Sequence, residues 1–215
     1  MPIAPEGRPF VAIGILALGS LLAVAGALGG LWWLAPAAWL PIAGWIPWFF
    51  RDPPRPGPRG EGKIIAPADG RVVSVVEVAE PDVIGGRAVR VSIFMNVFNV
   101  HVNRYPADGE ITHRDYRPGA FVNATLDKAS EHNERMSLGL RSARGPILVR
   151  QIAGLIARRI VTDGTIGTRV RQGDRLGIIR FGSRVDTFLP SNVRPLVVVG
   201  ERAVAGVTII AEWPT

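Results

Sequence analysis

The chain has 215 residues, 47% hydrophobic and 20% charged, enough for one globular domain with a core plus an additional apolar segment. It has no cysteine, which excludes disulfides and thiol catalysis, and its three histidines (His101, His113, His132) lack metal-type spacing, so no metal is expected. The net charge of +7 comes from an excess of arginine with no basic run interleaved with aromatics, which points away from nucleic acid and toward anionic membrane lipids or a plain preference for arginine.

In chain order, residues 10–29 and 31–50 carry no charge, and each is long enough as a helix to match a bilayer core of about 30 Å. Gly29-Gly30 sits where a hairpin would turn. Trp32 and Trp33 at one end, and Trp45, Trp48, Phe49 and Phe50 at the other, fit interfacial aromatic belts. The small residues of "AVAGA" would suit signal-peptide cleavage, but the charge-poor start and the second apolar stretch argue against simple secretion. Pro36, Pro41 and Pro47 leave a re-entrant second segment open. Residues 1–50 therefore read as a membrane anchor built as a helical hairpin. Arg8 before it and Arg51, Arg55 and Arg59 after it place everything downstream on the cytoplasmic side of the cell membrane.

"RDPPRPGPRGEG", residues 51–62, is a Pro/Gly-rich linker. From 63 to 215 short β-branched runs alternate with turn residues. Asp-Gly at 69–70, 108–109 and 163–164 is a hairpin signature each time, and "RQIAGLIARRI" (150–160) reads as one modest helix. The expected fold is mainly β: an antiparallel β-sandwich or barrel-like domain preceded by a transmembrane helical hairpin.

Three places carry chemistry. His101, in "FMNVFNVHVNRYP", shares a strand face with Asn99 and Asn103; taken alone, it reads as a hydrogen-bonded structural histidine. "LDKAS" (126–130) has the look of a lipoyl-carrier hairpin, but the polar "EHNERM" that follows makes Lys128, Asn133 and Arg135 a loop near an anionic ligand instead. Gly182-Ser183 lies inside the strand-like "IIRFGSRVDTFLP". One reading is a β-bulge with an exposed serine. The other is self-cleavage: a serine hydroxyl attacks the preceding glycine carbonyl, and the ester eliminates to dehydroalanine and hydrolyses to a pyruvoyl group.

"WFFRDPPR", "APADGRV", "MNVFNVHVNRYP", "NATLDKASEHNERM" and "RFGSRVDTFLP", in this order, resemble the short bacterial and archaeal type of phosphatidylserine decarboxylase proenzyme, from about residue 46 to the end. The resemblance implies a self-processing triad of Asp69, His101 and Ser183, with cleavage between Gly182 and Ser183. It further implies a covalent pyruvoyl group from Ser183 that forms a Schiff base with the substrate amine, and large (beta) and small (alpha) chains that stay together as a heterodimer; a homo-oligomer is left open. The implied substrate is phosphatidylserine, converted to phosphatidylethanolamine for phospholipid biosynthesis, with an archaetidylserine-like lipid as the alternative. The long form of the family has Leu-Gly-Ser-Thr at the cleavage site and a further histidine three residues before the triad histidine. Here those positions are Phe181-Gly182-Ser183-Arg184 and Phe98, so that histidine's role does not carry over.

Overall fold

The computed structural model describes residues 1–119, 133–154, 159–180 and 183–214, and the chain divides into two compact units, Met1–Pro53 and Pro54–Thr215. In the first, helix α1 (Arg8–Leu28) and helix α2 (Leu34–Phe49) pack as a hairpin. Gly29 and Gly30 make the turn at φ +66° and +56°, a backbone region in which only glycine is unstrained. The Trp39 indole N–H donates to the Gly14 carbonyl at 3.1 Å, and Phe10 stacks on Phe50.

Among the described residues, one helical segment, Pro5–Leu28 with a mean hydropathy of 2.4, is long and apolar enough to cross a membrane. The second has 16 residues, or about 24 Å of helix. Pro41 and Pro47 lie inside it and remove backbone donors, and Gly30–Trp33 at the start of the apolar stretch form a separate 3-10 turn.

The second unit is antiparallel β throughout. Its strands are β1 (Lys63–Ile65), β2 (Gly70–Glu80), β3 (Gly86–Met95), β4 (Val102–Arg104), β5 (Gly109–Arg117), β6 (Arg135–Ser142), β7 (Gly145–Ala153), β8 (Ile160–Thr162), β9 (Arg169–Val170), β10 (Arg175–Ile179), β11 (Ser183–Pro190), β12 (Arg194–Pro195), β13 (Arg202–Ala203) and β14 (Ile209–Glu212). Eight of them form one sheet in the order β13-β2-β3-β11-β7-β6-β5-β9, curled into a half-barrel. Two three-stranded sheets, β1-β14-β12 and β4-β10-β8, complete the unit. Val72, Val91, Ile93, Leu138, Val149 and Val185 from the large sheet meet Ile64, Ile179 and Ile210 from the small ones in a single core.

Two local expectations are corrected. Residues 150–153, read as helix, continue β7, because Val149, Gln151 and Ala153 point one way while Leu148, Arg150 and Ile152 point the other. β7 is paired on both edges by β6 and β11, and both of its faces are covered: Val149 and Ala153 join the main core, and Leu148 packs with Ala88 and Phe188 on the other side. None of the three Asp-Gly pairs closes a hairpin between its flanking strands, which belong to different pairings. Their aspartates bind elsewhere: the Asp69 carboxylate accepts the Ala205 N–H at 2.8 Å, and that of Asp108 accepts the Gln172 N–H at 2.6 Å. A two-residue turn, Ala143-Arg144, closes the β6–β7 hairpin instead.

Candidate active site

Ser183 does not lie within a continuous strand. The chain leaves β10 in a small sheet at Ile179 and enters the large sheet at Ser183, the first residue of β11. Here Ser183 is paired with Met95 on β3 and Ala153 on β7. Its side chain shares the face of Val185 and Leu189, toward the core, and is fully buried. The hydroxyl has no hydrogen-bond partner among the described residues. Leaving a buried hydroxyl unmatched costs about 1–3 kcal/mol, a cost that the buried hydroxyls of Ser92 and Thr187 share. Gly182 and Lys128 lie outside the described residues.

His101 reaches the same region from β4. The Ile179 N–H donates to the His101 carbonyl at 3.4 Å, and Val102 pairs with Ile178, so His101 lies beside the end of β10 from which the chain runs to Ser183. The ring is fully buried, with Nδ1 3.0 Å from the Asn99 carbonyl. If the ring is neutral, that contact makes Nδ1 the protonated nitrogen and leaves the lone pair on Nε2.

Asn103, on the same face, accepts a hydrogen bond from Gln151 Nε2 at 2.8 Å, and its amide approaches the Met95 sulfur at 3.6 Å. Gln151 in turn accepts from the Thr162 hydroxyl. This buried network ties β4, β7 and β8 together below Ser183, and sequence reasoning missed Gln151 because it assigned that stretch to a helix. Farther along, the Tyr105 hydroxyl donates to the Asp163 carbonyl at 2.8 Å; burial, then the Asp163 charge, pushes its pKa up to about 12.

Asp69 is held between two other partners. Both carboxylate oxygens accept from one Arg55 nitrogen, at 2.9 and 2.8 Å, and Oδ1 also accepts the Ala205 N–H. The structure thus places His101 beside Ile179, four residues before Ser183 in the chain, and engages Asp69 with Arg55 and the His101 ring with the Asn99 carbonyl. Arg55 was missed because it sits in a Pro/Gly run whose composition carries no such signal. Gly70 follows Asp69 at a place where a side chain would meet the Phe94 carbonyl oxygen at 2.0 Å.

The "NERM" residues are spread out. The Asn133 amide donates to the Ala153 carbonyl at 2.7 Å, supporting the cross-strand neighbour of Ser183. Arg135 begins β6, level with Ile152 and, one strand further, Arg184. Arg184 and Asp186 form a buried ion pair, Nε to Oδ1 at 2.7 Å and Nη2 to Oδ2 at 2.9 Å, on the outer face of β11.

Comparison with known proteins bears on what this arrangement is for. The phosphatidylserine decarboxylase family profile matches residues 42–211. Proteins named phosphatidylserine decarboxylase proenzyme are similar over nearly the whole chain. That of Symbiobacterium thermophilum is 48% identical, covering 99% of this chain and 96% of its own length. That of Paramagnetospirillum magneticum is 49% identical, covering 98% and 87%. The Cupriavidus pinatubonensis protein is 49% identical, covering 98% and 94%.

Proposed function

The chain belongs to the phosphatidylserine decarboxylase family, and from that membership we propose that it converts phosphatidylserine to phosphatidylethanolamine with a pyruvoyl group made from Ser183. The observation that carries the reading is the fully buried Ser183 hydroxyl at the start of β11, with no described hydrogen-bond partner. That orphaned oxygen fits the group: it is the atom that must leave its own side chain for the pyruvoyl to form.

In the proposed maturation, Ser183 Oγ attacks the Gly182 carbonyl carbon while His101 Nε2 takes the hydroxyl proton. The Gly182–Ser183 C–N bond breaks, leaving an ester and a free amine. Removal of the Ser183 Cα proton then expels the Gly182 carboxylate and leaves dehydroalanine, and water replaces the nitrogen, releasing ammonia. The pyruvoyl group, once formed, supplies an electron-withdrawing carbonyl for the decarboxylation. His101 serves as the base of maturation and as the proton donor to the substrate carbon after carbon dioxide departs. Asn99 fixes the ring, and Asp69, held by Arg55 and Ala205, contributes a fixed negative charge to this end of the sheet. Asn133 positions the site through Ala153, while Lys128 and Arg135 supply cations for the anionic head group. Segment Pro5–Leu28 anchors the protein where its substrate resides, with the β unit on the cytoplasmic side by virtue of the flanking arginines.

Intact mass spectrometry and denaturing electrophoresis test the reading. The parent yields two fragments, the smaller starting at residue 183 with a blocked terminus, and releases carbon dioxide from phosphatidylserine. Ser183→Ala stays whole and inactive, and His101→Ala slows fragment appearance by at least about 100-fold, the usual worth of a positioned base. A single uncut chain in an active preparation would sink the proposal.

A further inference from the structure

At the end of the large sheet where β11 begins, on the outer face opposite the Ser183 side chain, lies a cleft of about 540 Å³ lined by Arg71, Arg202, Phe94, Asn96, Phe98 and Asn99. It is tied to the site through chain neighbours: Phe94 and Asn96 flank Met95, whose side chain points into the core with that of Ser183, and the Asn99 carbonyl holds the His101 ring. Its lining contains no carboxylate, whereas two other cavities carry Asp108 with Glu110, and Asp82.

The charges in this cleft are placed against their own interest. Arg202 on β13 and Arg71 on β2 are direct cross-strand partners, and like charges so placed destabilise an antiparallel pair. Neither makes an ion pair or hydrogen bond with a described residue, although Arg55, Arg87, Arg141, Arg184 and Arg194 each hold a carboxylate. The two asparagines add donors. Asn99 Oδ1 accepts the Asn96 N–H and Asn96 Oδ1 accepts the Phe98 N–H, both at 2.9 Å, which leaves both amide nitrogens as donors toward the cleft. Two guanidinium groups and two amide N–H₂ groups form a donor set suited to an anion with several oxygens, and arginine forks match phosphate in particular. Phe98, 65% exposed, adds an apolar rim.

We propose that Arg71 and Arg202 clamp a phosphodiester at the mouth of the Ser183 site, namely the head-group phosphate of the serine phospholipid. This rests on the function proposed above. The phosphate neutralises the paired arginines and holds the serine amine and carboxylate within reach of residue 183, so the clamp acts in substrate binding and not in the chemical step.

The test uses the full chain in detergent with water-soluble short-chain phosphatidylserine. Arg71→Gln/Arg202→Gln self-cleaves like the parent, raises KM about 10-fold or more and leaves kcat within about 3-fold, the signature of lost uniform binding. If that variant does not fold, Arg71→Lys/Arg202→Lys keeps the charge without the fork and gives a smaller KM rise with kcat retained. A second measurement is independent of turnover: calorimetric titration of uncut Ser183→Ala with glycerophosphoserine, which binds, and with inorganic phosphate, which binds more weakly. Adding the two Gln substitutions abolishes both signals. A parent that cleaves but does not decarboxylate phosphatidylserine refutes the proposed function, while the titration still reads the clamp. An unchanged KM with unchanged titration overturns the clamp, and inorganic phosphate binding as tightly as glycerophosphoserine overturns its assignment to a head group.

Discussion

Tyr105 shows how single side chains hold the frame of the site. It follows β4, which carries Asn103, and its buried hydroxyl bonds the Asp163 carbonyl across to the segment after β8. A folded-state pKa of about 12 against an ordinary 10.0 means the native structure favours the neutral phenol. The resulting stabilisation is complete below pH 10 and is lost as pH rises through 12. Tyr105→Phe should therefore lower stability by about 1 kcal/mol at neutral pH, through the lost hydrogen bond. It should also flatten the alkaline limb of the stability curve between pH 10 and 12. Urea denaturation at pH 7, 10 and 11.5 measures both, and an equally steep alkaline loss in Tyr105→Phe would remove Tyr105 as its source.

Among the elements, the start of β2 is the most constrained. Gly70 must pass the Phe94 carbonyl so closely that a Cβ atom would collide with main chain, which cannot yield as a side chain does. Gly70→Ala should cost about 3 kcal/mol or more and retard fragment formation, since Asp69 and the β2–β3 register shift together. Thermal melting and a cleavage time course on one preparation check this, and a parent-like melt would refute it. The same element shows what was legible in the sequence. "PADG" announced both a turn and a carboxylate, and alternation gave β2, β3 and β11 their strands, because local pattern dictates local structure. It could not show that Asp69-Gly70 links two different sheets, or that β7 would be a strand buried on both sides, since both follow from pairings distant in sequence. The Ser183 region was recognisable only through its surrounding residue blocks; that β11 starts at Ser183 is a property of the sheets, not of the tripeptide.

At the scale of the whole chain, the boundary between the units falls at Pro54 and not after the Pro/Gly run. Arg59 donates to the Gly206 carbonyl at 2.7 Å and Arg55 grips Asp69, so arginines that read as membrane-flanking charge belong to the β unit. Residues 54–215 alone should fold and self-cleave. Residues 63–215, lacking both arginines, should melt roughly 5 °C lower, as expected for losing a charged hydrogen bond of about 1.5–3 kcal/mol in a domain of this size, and should cleave more slowly. Parallel melts and fragment time courses of the two truncations decide the point; equal behaviour would reduce Arg55 and Arg59 to bystanders.

The position of β11 has one more consequence. The stretch from Ser183 onward supplies the strand between β3 and β7 in the large sheet, the edge strand β13, and both β12 and β14 of a small one. A cut before Ser183 therefore makes two polypeptides out of one fold whose hydrogen-bond ladders run through both. Their separation is then coupled to unfolding, and however dilute the solution it proceeds no faster than the sheet opens. It requires tearing the middle out of a sheet, so the pair has the lifetime of the folded state itself. Self-cleavage of one peptide bond would alter the chemistry at residue 183 and leave the architecture that surrounds it intact.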